Sequence, residues 1–278
     1  MDSVDIENHE LELLLSTLLT HHNLDFTNYA RASLKRGVKR HVEQAKLQYI
    51  SELIPKVIHE PQCIHQLLDS LTIRVSEMFR DPNVFLTIRK KVLPVLRTYP
   101  RINIWHVGCA SGEEIYSMAI MLLEEGLLNR SHLYATDISD TAIQNSKSAI
   151  YDASKITLFG ENYLKAGGTR DISDYFTMAY GSIKLQDYLK EHVTFAYHNL
   201  TQDPEFAEVH LVMCRNVLIY FNQKLQNRSL LKFKDSLIHR GWLVLGDKET
   251  LNGTSVQSDF DNTYQSLRIF QKKLPSVI

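Results

Sequence analysis

The stretch INIWHVGCASGEEIYSMAIMLLEE, residues 102–125, decides the fold, because a strand, a glycine-containing loop and a helix follow each other directly. INIWHVG (102–108) is a short β-rich run, and Gly108 and Gly112 allow a tight turn before the helical sequence IYSMAIMLLEE. Similar β-rich runs occur at residues 132–137, 192–197, 209–214 and 241–246, with helical patterns between the first two and after several others. This alternation predicts a mainly parallel sheet with helices on both faces.

The chain divides into two zones of different texture. Residues 1–71 contain no convincing strand, and leucines recur there at helical spacing, at Leu11, Leu14, Leu15, Leu18 and Leu19. We therefore expect an N-terminal helical domain over residues 1–71 and a sheet domain over residues 72–278. In the second domain, Asp81-Pro82 should open a helix with Phe85, Ile88, Val92 and Leu96 on one apolar face. Residues 152–190 are expected to form a small insertion, and SLRIFQKK (266–273) a last strand, antiparallel to its neighbour.

Composition excludes several classes of protein. The 278 residues carry a formal net charge of -1, which gives no general attraction to nucleic acid. The three cysteines are an odd number without a CxxC pair, which favours a reducing cytoplasm, and the histidines lack metal-ligand spacing. The N-terminal sequence MDSVDIENHE lacks the features of a signal peptide, and no apolar stretch approaches 18 residues. We expect a cytoplasmic protein without a metal and without a membrane-inserted segment.

Polar groups follow four of the predicted strands at the point where each one ends. GCASGEE (108–114) follows the first strand and Asp137 ends the second, while His198-Asn199 and Arg215-Asn216 follow the next two. In doubly wound sheets the ligand lies outside the carboxyl ends of the strands. We therefore expect these groups to surround one ligand.

Each of these groups suits a nucleoside. Gly108 lets the backbone approach a ligand closely, Asp137 can accept hydrogen bonds from ribose hydroxyls, and Asn199 offers the donor and acceptor that an adenine edge requires. The sequence lacks GxxxxGK[ST], so a phosphate-binding P-loop is not supported. A nucleoside cofactor without phosphates, S-adenosylmethionine (SAM), fits better. The alternative is an α/β domain whose loop polar residues are incidental.

Five motifs together resemble the CheR-type chemotaxis receptor methyltransferases. They are SEMFRD (76–81), GCASGEEIYS (108–117), ATDIS (135–139), Asn199-Leu200 and CRNVLIYF (214–221). LDFTNYARASLKRGVKR (24–40) also resembles the N-terminal segment of that family. The chain departs from the family pattern where Ser76 replaces threonine, Met78 an aromatic residue and Ile115 proline, and where LGDKET (245–250) replaces L-G-H-S-E. The resemblance implies a Rossmann-like SAM-dependent methyltransferase sheet with an N-terminal all-helical domain and a small inserted subdomain.

The resemblance also assigns site residues. Together with Gly108, the cofactor contacts would be Ser76, Arg80, Glu113, Asp137, Asn199, Leu200, Arg215 and Asn216. Arg80, Arg215 and Tyr220 would lie nearest the transferred methyl group, with Arg80 on the cofactor and the other two orienting the substrate. Alternative readings remain: Arg215 caps a helix or pairs with a loop acid, Tyr220 packs as an aromatic residue, and Glu113 and Glu114 are first-turn acids of a helix. We favour the first-turn role for Glu114 and the cofactor for Glu113.

The implied reaction is methyl transfer from SAM to glutamate side chains of chemoreceptors. A basic stripe on one helix, formed by Arg31, Lys35, Arg36, Lys39 and Arg40, would dock the cytoplasmic helices of the receptor, unless it is only a solvated face. We expect a monomer that makes no contact with nucleic acid. The rival hypotheses are a methyltransferase of another substrate and a SAM-binding scaffold or sensor without turnover.

Overall fold

The computed structural model describes residues 3–71, 76–204 and 207–275. The predicted start of the second domain, residue 72, lies outside these ranges. Within them, no helix has both the length and the apolar character needed to cross a membrane.

The helices and strands alternate after an all-helical N-terminal part. The helices are α1 Ser3–His22, α2 Arg31–Gln44, α3 Leu53–His59, α4 Pro61–Leu71, α5 Pro82–Thr87, α6 Leu93–Leu96, α7 Glu113–Glu124, α8 Asp140–Ser148, α9 Ile156–Lys165 and α10 Gln223–Ser236. The strands are β1 Ile102–Val107, β2 Ser131–Asp137, β3 Ile150–Asp152, β4 Phe176–Ala179, β5 Ser182–Leu185, β6 Val193–Tyr197, β7 Val209–Cys214, β8 Leu237–Leu245, β9 Phe260–Tyr264 and β10 Ile269–Lys272. Helices of three to four residues in 3₁₀ geometry connect several of them.

The N-terminal helices α1 to α4 pack around their own apolar core. Four of the five leucines that predicted this bundle are buried, whereas Leu19 is 39% exposed at the surface of α1. Helices α2 and α4 meet at Gly37, where an added Cβ would lie 2.9 Å from the Cα of Leu71. Glycine at this position therefore lets the two helices approach closely.

The central sheet has seven strands in the order β6-β2-β1-β7-β8-β10-β9. The first five run parallel, while β10 is antiparallel to β8 and β9 is antiparallel to β10. The predicted parallel sheet and its antiparallel last strand are both confirmed. Because β1 lies between β2 and β7, the loops after these three strands meet at one edge of the sheet.

The helix predicted at Asp81-Pro82 forms and buries its expected apolar face, but it is not uniform. Asp81 precedes it in the left-handed region, with φ 55°. Pro94 has no N–H to continue the regular hydrogen-bond ladder, and a wider π turn spans Ile88–Val92 between α5 and α6. Phe85, Ile88, Val92 and Leu96 are all buried.

The insertion is a small subdomain in which β3, β5 and β4 form an antiparallel sheet beside α9. It is joined to the main domain by a buried polar cluster around Glu124, at the end of α7. The Glu124 carboxylate accepts hydrogen bonds from the hydroxyls of Tyr163 and Tyr175, the second at 2.8 Å, and pairs with Arg89 at 2.5 Å. These contacts fix the subdomain against the C-terminal end of α7.

Candidate cofactor and substrate site

Two adjoining cavities open at the carboxyl ends of the parallel strands. They share a wall made of Gly108, Ala110, Asn216, Val217 and Tyr220. This wall consists of the loop after β1 and the loop after β7, the two loops whose sequences carried the strongest motifs. A ligand in the first cavity could therefore reach the second across this wall.

The first cavity is mostly apolar and is closed by the N-terminal helical domain. Phe26 and Tyr29 from the loop before α2, and Leu68 and Leu71 from α4, line it opposite the sheet. The sheet side contributes a set of residues that includes Thr136, Asp137, Ile138, His198 and Leu200. An apolar slot with a single carboxylate is a suitable chamber for an adenosine group.

Asp137 ends β2 at the rim of this cavity and is nearly buried. Its Oδ2 accepts a hydrogen bond from the backbone N–H of Ala110 at 3.0 Å, and its Oδ1 accepts one from Ser139 at 2.9 Å. Gly108 has φ 69°, and an added Cβ would lie 2.6 Å from Cγ2 of Val217. The glycine therefore permits both the turn and the close packing of the two loops.

Of the adjacent residues Asn199 and Leu200, only Leu200 lines the first cavity. Leu200 lines the first cavity, but the Asn199 amide folds onto its own loop, with Oδ1 accepting from the backbone N–H of Thr201 at 2.9 Å and Nδ2 donating to Gln202 at 2.9 Å. The buried Lys232 of α10 supports the same loop, because its Nζ donates to the carbonyl oxygens of Leu200, at 2.9 Å, and Asp203. Asn199 shapes the loop, and Leu200 meets the cavity.

One residue that shapes the cavity wall was not predicted from the sequence. Glu249, 4% exposed, accepts hydrogen bonds from four backbone N–H groups: those of Asn216, Val217, Leu218 and Gly246, at 3.1, 2.9, 2.7 and 2.6 Å. These bonds hold the loop after β7, with Asn216 at φ 62°. Burial raises the pKa of the Glu249 carboxyl, and the N–H donors offset part of that rise. The signal was available, since Glu249 follows β8 just as the other site residues follow their strands.

The second cavity is polar and carries most of the charged residues of the site. Its lining includes Ser76, Arg80, Asp81, Glu114, Arg215, Asp247 and Lys248. Lys248 is exposed and forms no ion pair within the described part of the chain. A cavity of this composition can receive a charged side chain from outside.

Arg215 lies between two carboxylates, Asp81 in the loop before α5 and Glu114 in the first turn of α7. The contact with Asp81 is the pairing with a loop acid that one alternative described. The Arg215 side chain is 2% exposed and pairs with Asp81 and with Glu114, the latter at 3.0 Å. Its Nη1 also donates to the carbonyl oxygen of Arg80 at 3.2 Å, and its guanidinium lies 5.9 Å from the centre of the Phe85 ring. The role of Arg215 toward a substrate stays a prediction.

The two glutamates that open α7 face different neighbours. Glu113 is fully buried toward the inserted subdomain, where it accepts from the Ser111 hydroxyl at 2.7 Å and lies 3.5 Å from the Lys155 ammonium. Glu114, which we assigned to the helix terminus alone, lines the second cavity. Burial raises the pKa of the Glu114 carboxyl, but the hydrogen bond from His106 and the charge of Arg215 outweigh it and hold that pKa below its usual value.

Tyr220 belongs to the wall shared by the two cavities and is tied to the helical domain. Its carbonyl oxygen accepts a hydrogen bond from the backbone N–H of Ala30 at 2.7 Å, and Asn222 donates to the Asn28 carbonyl at 2.9 Å. The rings of Tyr29 and Phe221 pack edge to face with centroids 4.9 Å apart. Tyr220 is therefore partly packed as well as cavity-lining.

Three of the five basic residues in the stripe on α2 form ion pairs with acids of α1. Arg31 pairs with Glu12, whereas Lys35 and Lys39 both pair with Glu7 at 3.0 Å. These two lysines lower the pKa of the half-buried Glu7 carboxyl. By contrast, Arg36 and Arg40 form no ion pair within the described residues.

Family models and related sequences match this chain to one family. Residues 74–267 match the family model for the CheR methyltransferase SAM binding domain, and residues 9–72 match that for the CheR methyltransferase all-alpha domain. A Pseudomonas putida protein named "Putative methyltransferase Cher3" is 46% identical over 95% of this chain and 96% of its own. "Chemotaxis protein methyltransferase 1" of Vibrio cholerae is 30% identical over 76% of this chain and 78% of its own. The N-methyltransferase NodS of Bradyrhizobium japonicum, solved with S-adenosyl-L-homocysteine, is 15% identical with a TM-score of 0.33, covering 61% of this chain and 62% of that one.

Proposed function

Because this chain belongs to the CheR methyltransferase family and is a SAM-dependent methyltransferase, we propose that its substrates are glutamate side chains of chemoreceptors. The products are glutamate methyl esters and S-adenosyl-L-homocysteine. The observation that carries the proposal is the pair of adjoining cavities, one apolar and one charged, on either side of the wall that contains Asn216 and Tyr220.

The residues of the first cavity fit the cofactor. The adenosine would lie between Leu200 and the helical domain, with Asp137 at the ribose hydroxyls. Gly108 and Asn216, both in left-handed conformations, form part of the wall shared by the two cavities. When bound, SAM supplies an electrophilic methyl group. The protein's contribution is to bind it, orient it toward the second cavity and exclude water.

The second cavity suits a carboxylate nucleophile. A glutamate is already ionised near neutral pH, with a reference pKa of about 4.3, and needs no general base. Positioning is then the main requirement, and a carboxylate gripped by both oxygens would be a poorer nucleophile. Arg215 is already paired with Asp81 and Glu114, so we assign the approach of the substrate carboxylate to the side of the cavity formed by Arg80, Tyr220 and Lys248.

We further propose a division of labour between the domains. Residues 1–71 dock on the cytoplasmic helices of the receptor, and residues 72–278 perform the transfer. Arg31, Lys35 and Lys39 already pair with acids of α1, so Arg36 and Arg40 would make the main contacts with acidic receptor helices. Such contacts between surface charges mainly raise the association rate and weaken with salt.

The test uses methyl-labelled SAM with membranes that contain a cognate receptor. We expect label on the receptor that leaves as methanol in mild base, because glutamyl esters hydrolyse readily whereas methylated amines do not. A receptor whose methyl-accepting glutamates are replaced by alanine serves as the control substrate. SAM binding without base-labile label on any cognate receptor would refute the proposal and favour a SAM-binding scaffold. Base-stable label would instead indicate another substrate.

A further inference from the structure

A buried histidine, His106 of β1, lies behind the charged cavity. It is 1% exposed, and its Nδ1 lies 3.1 Å from Oε1 of Glu114. Its other ring nitrogen, Nε2, is buried and has no hydrogen-bond partner among the described residues. An unsatisfied buried nitrogen is unfavourable, and an apolar side chain would pack at this position without that cost. The histidine therefore needs an explanation other than packing.

His106 is the first member of a chain of contacts that ends at the second cavity. Oε1 of Glu114 contacts the His106 ring at Nδ1, and Oε2 of Glu114 accepts a hydrogen bond from Nη1 of Arg215 at 3.0 Å. The same Nη1 donates to the carbonyl oxygen of Arg80 at 3.2 Å, and Nη2 pairs with Asp81. This series of contacts connects the interior of the sheet to the segment that contains Arg80.

The two carboxylates that contact Arg215 leave its guanidinium poorly suited to bind a further anion. Two carboxylates, Asp81 and Glu114, already contact its guanidinium. With both terminal nitrogens paired and the side chain 2% exposed, the orientation of Arg215 is fixed by its neighbours. A guanidinium held in this way can set the position of the Arg80 backbone.

We propose that His106 is a positioning residue: through Glu114 and Arg215 it fixes Arg80 and Asp81 at the wall of the second cavity. His106 itself touches neither substrate nor cofactor. The inference rests on the proposed function for its activity readout, and the network itself can be measured without turnover.

The first experiment compares two substitutions of the same histidine. His106→Leu removes the hydrogen bond to Glu114 but keeps an apolar side chain of suitable size, whereas His106→Asn places an amide nitrogen near the position of Nδ1. We expect His106→Leu to lower kcat by about tenfold through misplacement of the reacting groups. The SAM Kd and the receptor KM should change less than twofold. His106→Asn should recover most of kcat.

The matched control is His210→Leu. His210 lies at the opposite end of the sheet, at the start of β7, where its Nδ1 accepts from the backbone N–H of Asn103 at 3.1 Å. This substitution should leave kcat unchanged. If His106→Leu lowers the melting temperature more than His210→Leu does, and His106→Asn fails to restore kcat, His106 is merely structural and the proposal is overturned.

The second experiment asks whether His106 acts through Glu114. In a Glu114→Gln background, His106→Leu should cause little further loss of kcat, because contacting residues in one network are not additive. A full additional tenfold loss would overturn the proposal. The same four proteins give a thermal-stability cycle that requires no receptor, and additive melting temperatures would also overturn the network. Absence of transfer by the wild type would instead refute the proposed function, while the stability cycle still tests the network.

Discussion

Replacing Glu249 by glutamine tests whether one buried carboxylate shapes the loop between the two cavities. Each of its oxygens accepts two backbone N–H groups: Oε1 those of Val217 and Leu218, and Oε2 those of Asn216 and Gly246. Glutamine keeps the size of the side chain, but its amide nitrogen cannot accept a hydrogen bond. Whichever way the amide is oriented, two backbone donors lose their acceptor and face an NH₂ group.

The expected cost follows from counting those two donors. A buried donor left without a partner costs roughly 1–3 kcal/mol, so Glu249→Gln should lower the free energy of unfolding by roughly 2–6 kcal/mol. For a protein of this size that corresponds to a fall in melting temperature of about 5–15 °C. Because Asn216 and Val217 line both cavities, SAM affinity should fall as well.

Thermal unfolding followed by circular dichroism, with calorimetric titration of SAM, measures both effects. Glu161→Gln is the matched control, because Glu161 lies on the exposed surface of α9, 3.8 Å from Lys165. Such exposed pairs contribute little, so this control should melt with the wild type. If Glu249→Gln melts within about 2 °C of the wild type and binds SAM equally well, the four hydrogen bonds do not hold the loop.

Three further predictions follow from single contacts. Because the pKa of the Glu114 carboxyl is lowered in the folded protein, its ionised form stabilises the fold above the unfolded-state pKa of about 4.3, and this stabilisation is lost as the pH falls through the folded pKa. The melting temperature of Glu114→Gln should therefore fall less than that of the wild type between about pH 6 and pH 3. Equal falls in melting temperature would contradict this. Lys232→Met should weaken SAM binding by about three- to tenfold in calorimetry, because its ammonium supports the Leu200 carbonyl; an unchanged Kd would speak against that role. Lys248→Glu should raise the receptor KM by about fivefold or more without altering the SAM Kd, whereas Lys224→Glu, on the exposed surface of α10, should not; equal effects of the two would reject steering by Lys248.

The parts of the fold that could be predicted from sequence are those that depend on neighbouring residues. The strand, loop and helix over residues 102–125 form because apolar periodicity and two glycines fix them locally. The contacts of Arg215 are different, since Glu114 lies 101 residues away in the chain and Asp81 134 residues away. The motif CRNVLIYF (214–221) shows that an arginine follows a strand, but not which acids the fold brings to it.

Asn199 and Glu113 also differ in whether their contacts lie nearby in the sequence or depend on the tertiary fold. The amide of Asn199 is satisfied by Thr201 and Gln202, so its contacts were visible locally as a polar turn, whereas an adenine contact requires a partner outside the chain. Glu113 and Glu114 are adjacent, and successive residues of a helix point about 100° apart, so only one can face the cavity. Choosing between them needed the position of the inserted subdomain, which the sequence did not provide.

The helical domain lines the first cavity and also carries the proposed docking surface, and this determines how a truncation should be interpreted. Phe26, Tyr29, Leu68 and Leu71 form one side of the first cavity. Helix α2 begins one residue after Ala30, whose N–H is bonded to the Tyr220 carbonyl at 2.7 Å. Removing residues 1–71 therefore opens the first cavity and releases the Tyr220 loop at the same time as it removes Arg36 and Arg40. Loss of methylation in such a fragment cannot by itself be assigned to docking, whereas Arg36→Ala with Arg40→Ala leaves the cavity wall intact and isolates the receptor contact.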